Sequence, residues 1–257
     1  MPGIASHRVA VLPLYPGHLD ARPRSVDKRA RIVEAALQQF GEKGYHPVRV
    51  GDIAASLGIA KGSIFQHFGS KDGLFLQVYK QAVRSFPKYL DVPRETLALG
   101  FFEVLRGGMI RTEQRLRHDW IPYRVALLGN HGTDLALKRE INRFLVAEDP
   151  YGTVNFVRFG LARHELRRDM DLEMIVSILD WMMERFQDAL LTAELDSGLF
   201  RRQSEAAEDK EARIRQFLDV LRRSIGAAAP RPAPVIVHRR GASIAGKITK
   251  TPANIRR

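Results

Sequence analysis

Apolar residues recur at helical spacing along most of the chain, and no convincing period-two strand interrupts them. The first strong run is DKRARIVEAALQQFGEKGY. Ile32, Val33, Ala36, Leu37 and Phe40 fall on one face, Asp27 reads as the N-cap, and Gly41 and Gly44 read as the stop. In HPVRVGDIAASLG, Pro47 biases His46 towards extended backbone. A short helix is predicted from about Val50 to Leu57, burying Ile53 and Leu57 one turn apart, with Ala54 and Ala55 small enough to let a neighbour cross closely. Gly58 can take the positive φ of a tight turn, and apolar Ile59 is expected to tuck under it. The next helix is predicted over about Lys61 to Phe68, where Ile64 and Phe68 repeat the i, i+4 pair. Ser70 is expected to cap a further helix that has Asp72 in its first turn and carries Leu74, Phe75, Val78, Tyr79 and Ala82.

Beyond Pro87 the pattern predicts helices over about 94–107, 109–128, 133–147, 150–166, 171–195 and 205–226. Pro93 and Asp149–Pro150 read as helix starts, and Gly129, Gly132 and Gly198 as breaks. The expected fold is all-α. Residues 25–80 would form a three-helix, helix-turn-helix domain and residues 81–226 a larger helical domain. Residues 1–24 would be a loose, disordered arm rather than a signal peptide, and 227–257 a disordered basic tail.

The short helix at 61–68 carries the chemistry. Ile53, Leu57, Ile59, Ile64 and Phe68 would fasten one side of it, leaving residues 60, 61, 62, 63, 66 and 67 outward. Gly62 has no side chain, so its backbone could approach a phosphate or a base edge. Gln66 has the length and the paired groups to meet adenine in a major groove, and Ser63 and His67 also hydrogen-bond. Lys61 and Lys71 can neutralise phosphates.

Charge sharpens this picture. The formal net charge is +12. Residues 1–24 contribute +2, residues 25–80 contribute +3 and residues 227–257 contribute +7, so the middle of the chain is neutral. Basic ends on a neutral middle point to a polyanionic partner. There are no cysteines, which excludes thiolate catalysis, disulfides and cysteine-ligated zinc, and which fits a reducing cytoplasm. No apolar run reaches the roughly 20 residues that span a bilayer.

The stretch ARIVEAALQQFGEKGYHPVRVGDIAASLGIAKGSIFQHFGSKDGLF resembles the DNA-binding domain of the TetR family of bacterial transcriptional regulators. The resemblance implies a homodimer on a near-palindromic double-stranded DNA operator, with ligand binding in the larger domain weakening the grip on DNA. By position, Arg49, Ala60, Lys61, Gly62, Ser63, Phe65, Gln66, His67 and Lys71 fall where the family contacts DNA. Two positions depart from the pattern. Position 49 is often a small hydroxyl residue in the family, whereas Arg49 could add a phosphate or guanine contact. Position 65 is usually a tyrosine, and Phe65 lacks the hydroxyl that would meet a phosphate.

In the larger domain, MDLEMIVSILDWMMERFQDALL places Ile175, Ile178, Leu179, Met182 and Phe186 along a broad apolar face, and EARIRQFLDVLRRSI does the same with Ile214, Phe217, Leu218 and Leu221. These faces could pack within one chain or pair across a two-fold axis as a four-helix bundle; the resemblance favours the dimer. Phe101, Phe102, Met109, Trp120, Tyr123, Phe144, Phe156, Phe159 and Trp181 are the candidate walls of a pocket for a small apolar or amphipathic ligand. No phosphate-binding loop, nucleophile elbow or paired-histidine zinc motif is present, and His164–Glu165 alone makes no metal site, so no catalytic residue, metal or cofactor is expected. The rival reading is a DNA-bound factor of the same fold whose larger domain binds a protein and no small molecule.

Overall fold

The computed structural model describes residues 24–132, 134–200 and 207–227. The expectations for the arm up to residue 23 and the tail from residue 228 lie outside the described residues. Within them the chain forms eleven helices: α1 (Arg24–Lys43), α2 (Val50–Ser56), α3 (Lys61–Phe68), α4 (Lys71–Arg84), α5 (Arg94–Ala98), α6 (Phe101–Leu116), α7 (Ile121–His131), α8 (Leu135–Glu148), α9 (Thr153–Ala162), α10 (Leu172–Leu191) and α11 (Ala207–Ile225). The single extended pairing among the described residues is an isolated antiparallel bridge, Leu166 with Gly226, which ties the end of α11 to the loop before α10.

The first four helices follow the expected periodicity, and α3 spans the expected residues. α1 begins at Arg24, three residues before Asp27, so Asp27 is not its N-cap. Gly41 does not stop it either. It lies inside α1 because α7 crosses there: a Cβ on Gly41 would sit 2.7 Å from the Ile121 side chain. Gly44, at φ 87, is the stop.

The larger part departs further from the pattern. Periodicity predicts one helix over 94–107, but the chain breaks at Gly100, whose φ is 98. The Glu165 carboxylate then accepts a 2.8 Å hydrogen bond from Phe101 N and starts α6. α6 runs straight through Gly107 and Gly108, where the pattern predicts a boundary, because Phe101, Phe102, Val104, Leu105 and Met109 form one continuous buried face. The real boundary is later, where Pro122 in the first turn sets the start of α7. Gly129 is no break: a Cβ there would lie 2.5 Å from the Tyr79 ring, so it is the point where α4 and α7 touch. α9 starts at Thr153 rather than at Pro150. Asp149 supplies the cap from upstream, accepting from Thr153 N at 2.8 Å and Val154 N at 3.1 Å.

Two apolar clusters hold the fold. The first joins α1–α4 to α7 and α8, with Ile32, Phe40, Ile53, Ile64, Leu74, Phe75, Val78, Tyr79, Val125 and Ile141 among its buried members. The second gathers α6, α9, α10 and α11 around Phe101, Phe156, Leu179, Phe186, Ile214 and Leu221. The helices at 25–80 therefore share their core with α7 and α8 from the larger part.

Candidate nucleic-acid interface

α2 and α3 are joined by a turn that the sequence dictates locally. Gly58 takes φ 64. Its N–H donates to Ala55 O at 3.1 Å, and Ile59 N donates to Ala54 O at 3.0 Å, which closes the end of α2. Ile59 packs partly against the first cluster, so the turn is pinned from below. Ile64 anchors α3 and is 1% exposed, while Phe68 packs partly against the same cluster.

The opposite side of α3 is open. Ala60, Lys61, Gly62, Phe65 and Gln66 are exposed, and Ser63 and His67 are half-buried. No acid lies in the helix's first turn, so its N-terminal dipole and Lys61 present positive potential together. A Cβ on Gly62 would meet nothing within 4 Å, so the protein itself does not require glycine there. Lys61 lays its stem beside Gly51 of α2, and its ammonium lies 5.6 Å from the Phe65 ring centroid. Arg49 is exposed at the N-cap of α2. His67 does not stand alone on the face; it lines a surface groove with Arg29, Gln77, Gln81 and Arg84.

Lys71 is partly engaged by the protein. Its ammonium donates to His46 O at 3.2 Å and sits 4.7 Å from the Tyr45 ring centroid. Burial lowers its pKa, with Asp72 pulling the other way. Tyr45 in turn donates its hydroxyl to Asp72, so the loop before α2 is tied to the first turn of α4. Ser70 caps α4, accepting from Gly73 N at 3.0 Å. Periodicity and capping signals do not single out Gly73, yet a Cβ there would lie 2.1 Å from the Phe68 carbonyl oxygen, so only glycine lets α3 end where α4 begins.

The nine candidate pocket residues do not surround one cavity. Phe101, Phe102, Met109 and Phe156 are buried in the second cluster, with the Phe101 and Phe156 rings stacked at 4.2 Å. Phe159 packs at its margin. Phe144 belongs to the first cluster, and Trp120 and Trp181 are exposed. Of the nine, Tyr123 lines a partly open cavity of about 40 Å³, together with Phe86, Lys88, Tyr89, Arg111, Thr112, Tyr151 and Gln187. Burial pushes the hydroxyl pKa of Tyr89, Tyr123 and Tyr151 up. Tyr89 and Tyr151 escape the sequence pattern because they stand in the connections between helices, where a search for helical aromatic stripes does not reach.

The dimer residues also need correction. Ile175, Leu179, Phe186, Ile214, Leu218 and Leu221 are buried in the chain's own core and offer no outer face. Ile178, Met182 and Phe217 are half-buried. What α10 and α11 leave outside is Met174, Trp181 and Val220, at 48%, 64% and 56% exposure. The strong apolar pattern marked the inner face, and the outer one is too sparse to stand out.

An all-helical chain with an exposed basic helix fastened by a glycine turn is the frame of a helix-turn-helix DNA-binding protein. The pattern of "Bacterial regulatory proteins, tetR family" matches residues 32–78. The chain is 33% identical over 208 residues to the HTH-type transcriptional repressor Rv1474c of Mycobacterium tuberculosis, covering 81% of this chain and 95% of that protein. It is 27% identical over 184 residues to the HTH-type transcriptional repressor AcnR of Corynebacterium glutamicum, covering 70% of this chain and 90% of that one. In fold it is similar to a TetR-family transcription regulator from Marinobacter aquaeolei VT8, with a TM-score of 0.51 at 13% identity over 80% of this chain and 98% of that one. The chain belongs to the TetR family. It is a DNA-binding transcriptional regulator and not an enzyme. Among the described residues no helix is long and apolar enough to cross a membrane.

Proposed function

We propose that the chain is a cytoplasmic repressor that grips a near-palindromic operator as a homodimer and lets go when a small ligand enters the larger part. The observation that carries this is the two-sided α3, with Ile64 fully buried and Lys61, Gly62, Phe65 and Gln66 exposed above it. Gln66 reads a base edge, and Lys61, with the exposed Arg49, meets phosphates. Gly62 lets backbone and duplex approach. Phe65 replaces a polar positioning contact with packing against sugar.

Two subunits would pair through the outer faces of α10 and α11, around Met174, Trp181 and Val220, which sets the spacing of the two α3 helices. The ligand would be amphipathic. The cavity offers aromatic walls from Phe86, Tyr89, Tyr123 and Tyr151, and polar groups from Lys88, Arg111, Thr112 and Gln187. Phe86 also belongs to the first cluster and follows directly on α4, so a ligand that moves it shifts the helix beginning at Lys71. At about 40 Å³ the cavity must open to admit such a ligand. The ligand then favours the opened state and acts only through that difference in affinity.

A DNA titration across salt concentrations tests the reading. Affinity for the chain's own upstream region should fall steeply between low and moderate salt, because phosphate contacts release counterions. A flat response would remove the basic face from the account.

A further inference from the structure

Where α7 meets α10, the end of one helix brings a histidine against two carboxylates of the other. His131 is the last residue of α7, and Glu184 and Asp188 lie one turn apart on α10. His131 Nε2 is 2.9 Å from Asp188 Oδ2 and 3.8 Å from Glu184 Oε1, and the three donor atoms lie within 4.8 Å of one another. Among the described residues no other trio of histidine and carboxylate groups converges in this way. Asp188 is 3% exposed, and a carboxylate that deep needs a cation or hydrogen-bond donors beside it.

A cationic head already sits among the three donors. Arg185 Nη2 lies 2.6 Å from His131 Nε2 and 3.2 Å from Glu184 Oε1, and it also pairs with Asp188 Oδ2. This arrangement cannot be satisfied in full. A guanidinium only donates, so Nε2 must offer Arg185 its lone pair. The same unprotonated nitrogen then faces the Asp188 carboxylate, another acceptor, at 2.9 Å. A proton on Nε2 mends that contact and sets the ring against Arg185. A divalent metal ion removes the conflict, because it accepts a lone pair from all three groups at once.

We propose that His131, Glu184 and Asp188 bind a divalent first-row transition metal ion, with Arg185 as the displaceable cation that fills the site in its absence. One neutral imidazole and two carboxylates suit Zn²⁺ or Co²⁺. Donors about 2.0–2.1 Å from a tetrahedral ion stand about 3.3 Å apart; the two separations from His131, 2.9 and 3.8 Å, bracket that spacing, and the two carboxylate oxygens lie within 4.8 Å of each other. The Arg185 side chain is 51% exposed, so its head can swing into solvent and leave a position for water. The ion would fasten the end of α7 to α10. The proposal stands apart from operator binding and from the ligand cavity, and it departs from the expectation, drawn from sequence, of no metal.

The test strips the full-length chain with chelator and titrates it with Co²⁺ and Zn²⁺, following stoichiometry by calorimetry and the visible absorption of bound cobalt. One ion should bind per chain. Affinity should fall at least tenfold in His131→Gln and in Glu184→Gln. Glu184 is 38% exposed, so its variant keeps the test valid should His131→Gln disturb folding. Arg185→Met should bind at least tenfold tighter, since the competing cation is gone. The proposal is overturned if the native chain binds no ion, or if binding survives both ligand substitutions. It is equally overturned if Arg185→Met binds no tighter, or if that variant alone binds and the native chain does not; the arginine is then the permanent cation of an ordinary ion-pair cluster.

Discussion

The two apolar clusters bury similar side chains but leave different surfaces outside. Around the first, α3 turns Ile64 inward and shows Lys61, Gly62 and Gln66 to solvent, with no acid in its first turn. Around the second, α10 and α11 turn Leu179, Phe186 and Leu221 inward and still show Met174, Trp181 and Val220. A polar, positive outer face suits a nucleic acid, and large exposed apolar groups suit a protein partner. In both regions the buried residues hold the element and the outer ones are not needed to hold it, so changes on the two sides of one helix should separate stability from any binding there.

The largest separation is expected on α10. Phe186→Ala should cost about 3–5 kcal/mol in chemical denaturation, because it empties a fully buried site. Trp181→Ala, one and a half turns away and 64% exposed, should leave the chain's own core intact and shift the monomer–dimer balance towards monomer in sedimentation. Similar unfolding costs for both would erase the contrast between the faces.

Next is the joint of α3 and α4. Gly73→Ala should lower stability by about 3 kcal/mol, since the new methyl meets a backbone carbonyl that cannot move aside. A thermal melt unchanged from the native chain would contradict the close approach. Smaller still is Gln66→Ala, which should cost about 1–3 kcal/mol of binding at selected base pairs and almost nothing in folding. Uniform loss across DNA sequences would make Gln66 a backbone contact.

A pH dependence of comparable size is expected in the second region. Burial raises the Asp180 pKa from its ordinary value to about 6; Thr153, donating its hydroxyl at 2.8 Å, opposes this, and Asp149 and Glu184 add to it. The folded chain thus prefers the protonated acid. Asp180's relative stabilisation is complete below about pH 4 and is lost as pH rises through about 6. In the stability difference between the native chain and Asp180→Asn, the native chain should lose ground over that window and stay level above it. A level difference throughout would refute the burial effect.

The same contrast explains what was legible in the sequence. From Val50 to Ala82 local signals set most of the path: Gly58 for the joint, Ser70 for the cap, Ile53 and Ile64 for the anchors, with Gly73 the exception. Such signals are read one residue at a time. In the larger part the deciding contacts are distant in sequence. Gly100 breaks its helix against Glu165, Gly129 serves Tyr79, and the cavity draws Tyr89 and Tyr151 from connecting segments. Periodicity finds the helices there but not which of their faces meet.

The most direct test of the central claim is a hydroxyl-radical footprint of the upstream DNA with the native chain and with Gln66→Ala. The account predicts two protected patches related by two-fold symmetry, centred one helical turn of about 10 base pairs apart or a multiple of it, with protection by Gln66→Ala weakened at specific bases. Absence of any protected site, or a footprint that Gln66→Ala leaves unchanged, would contradict it.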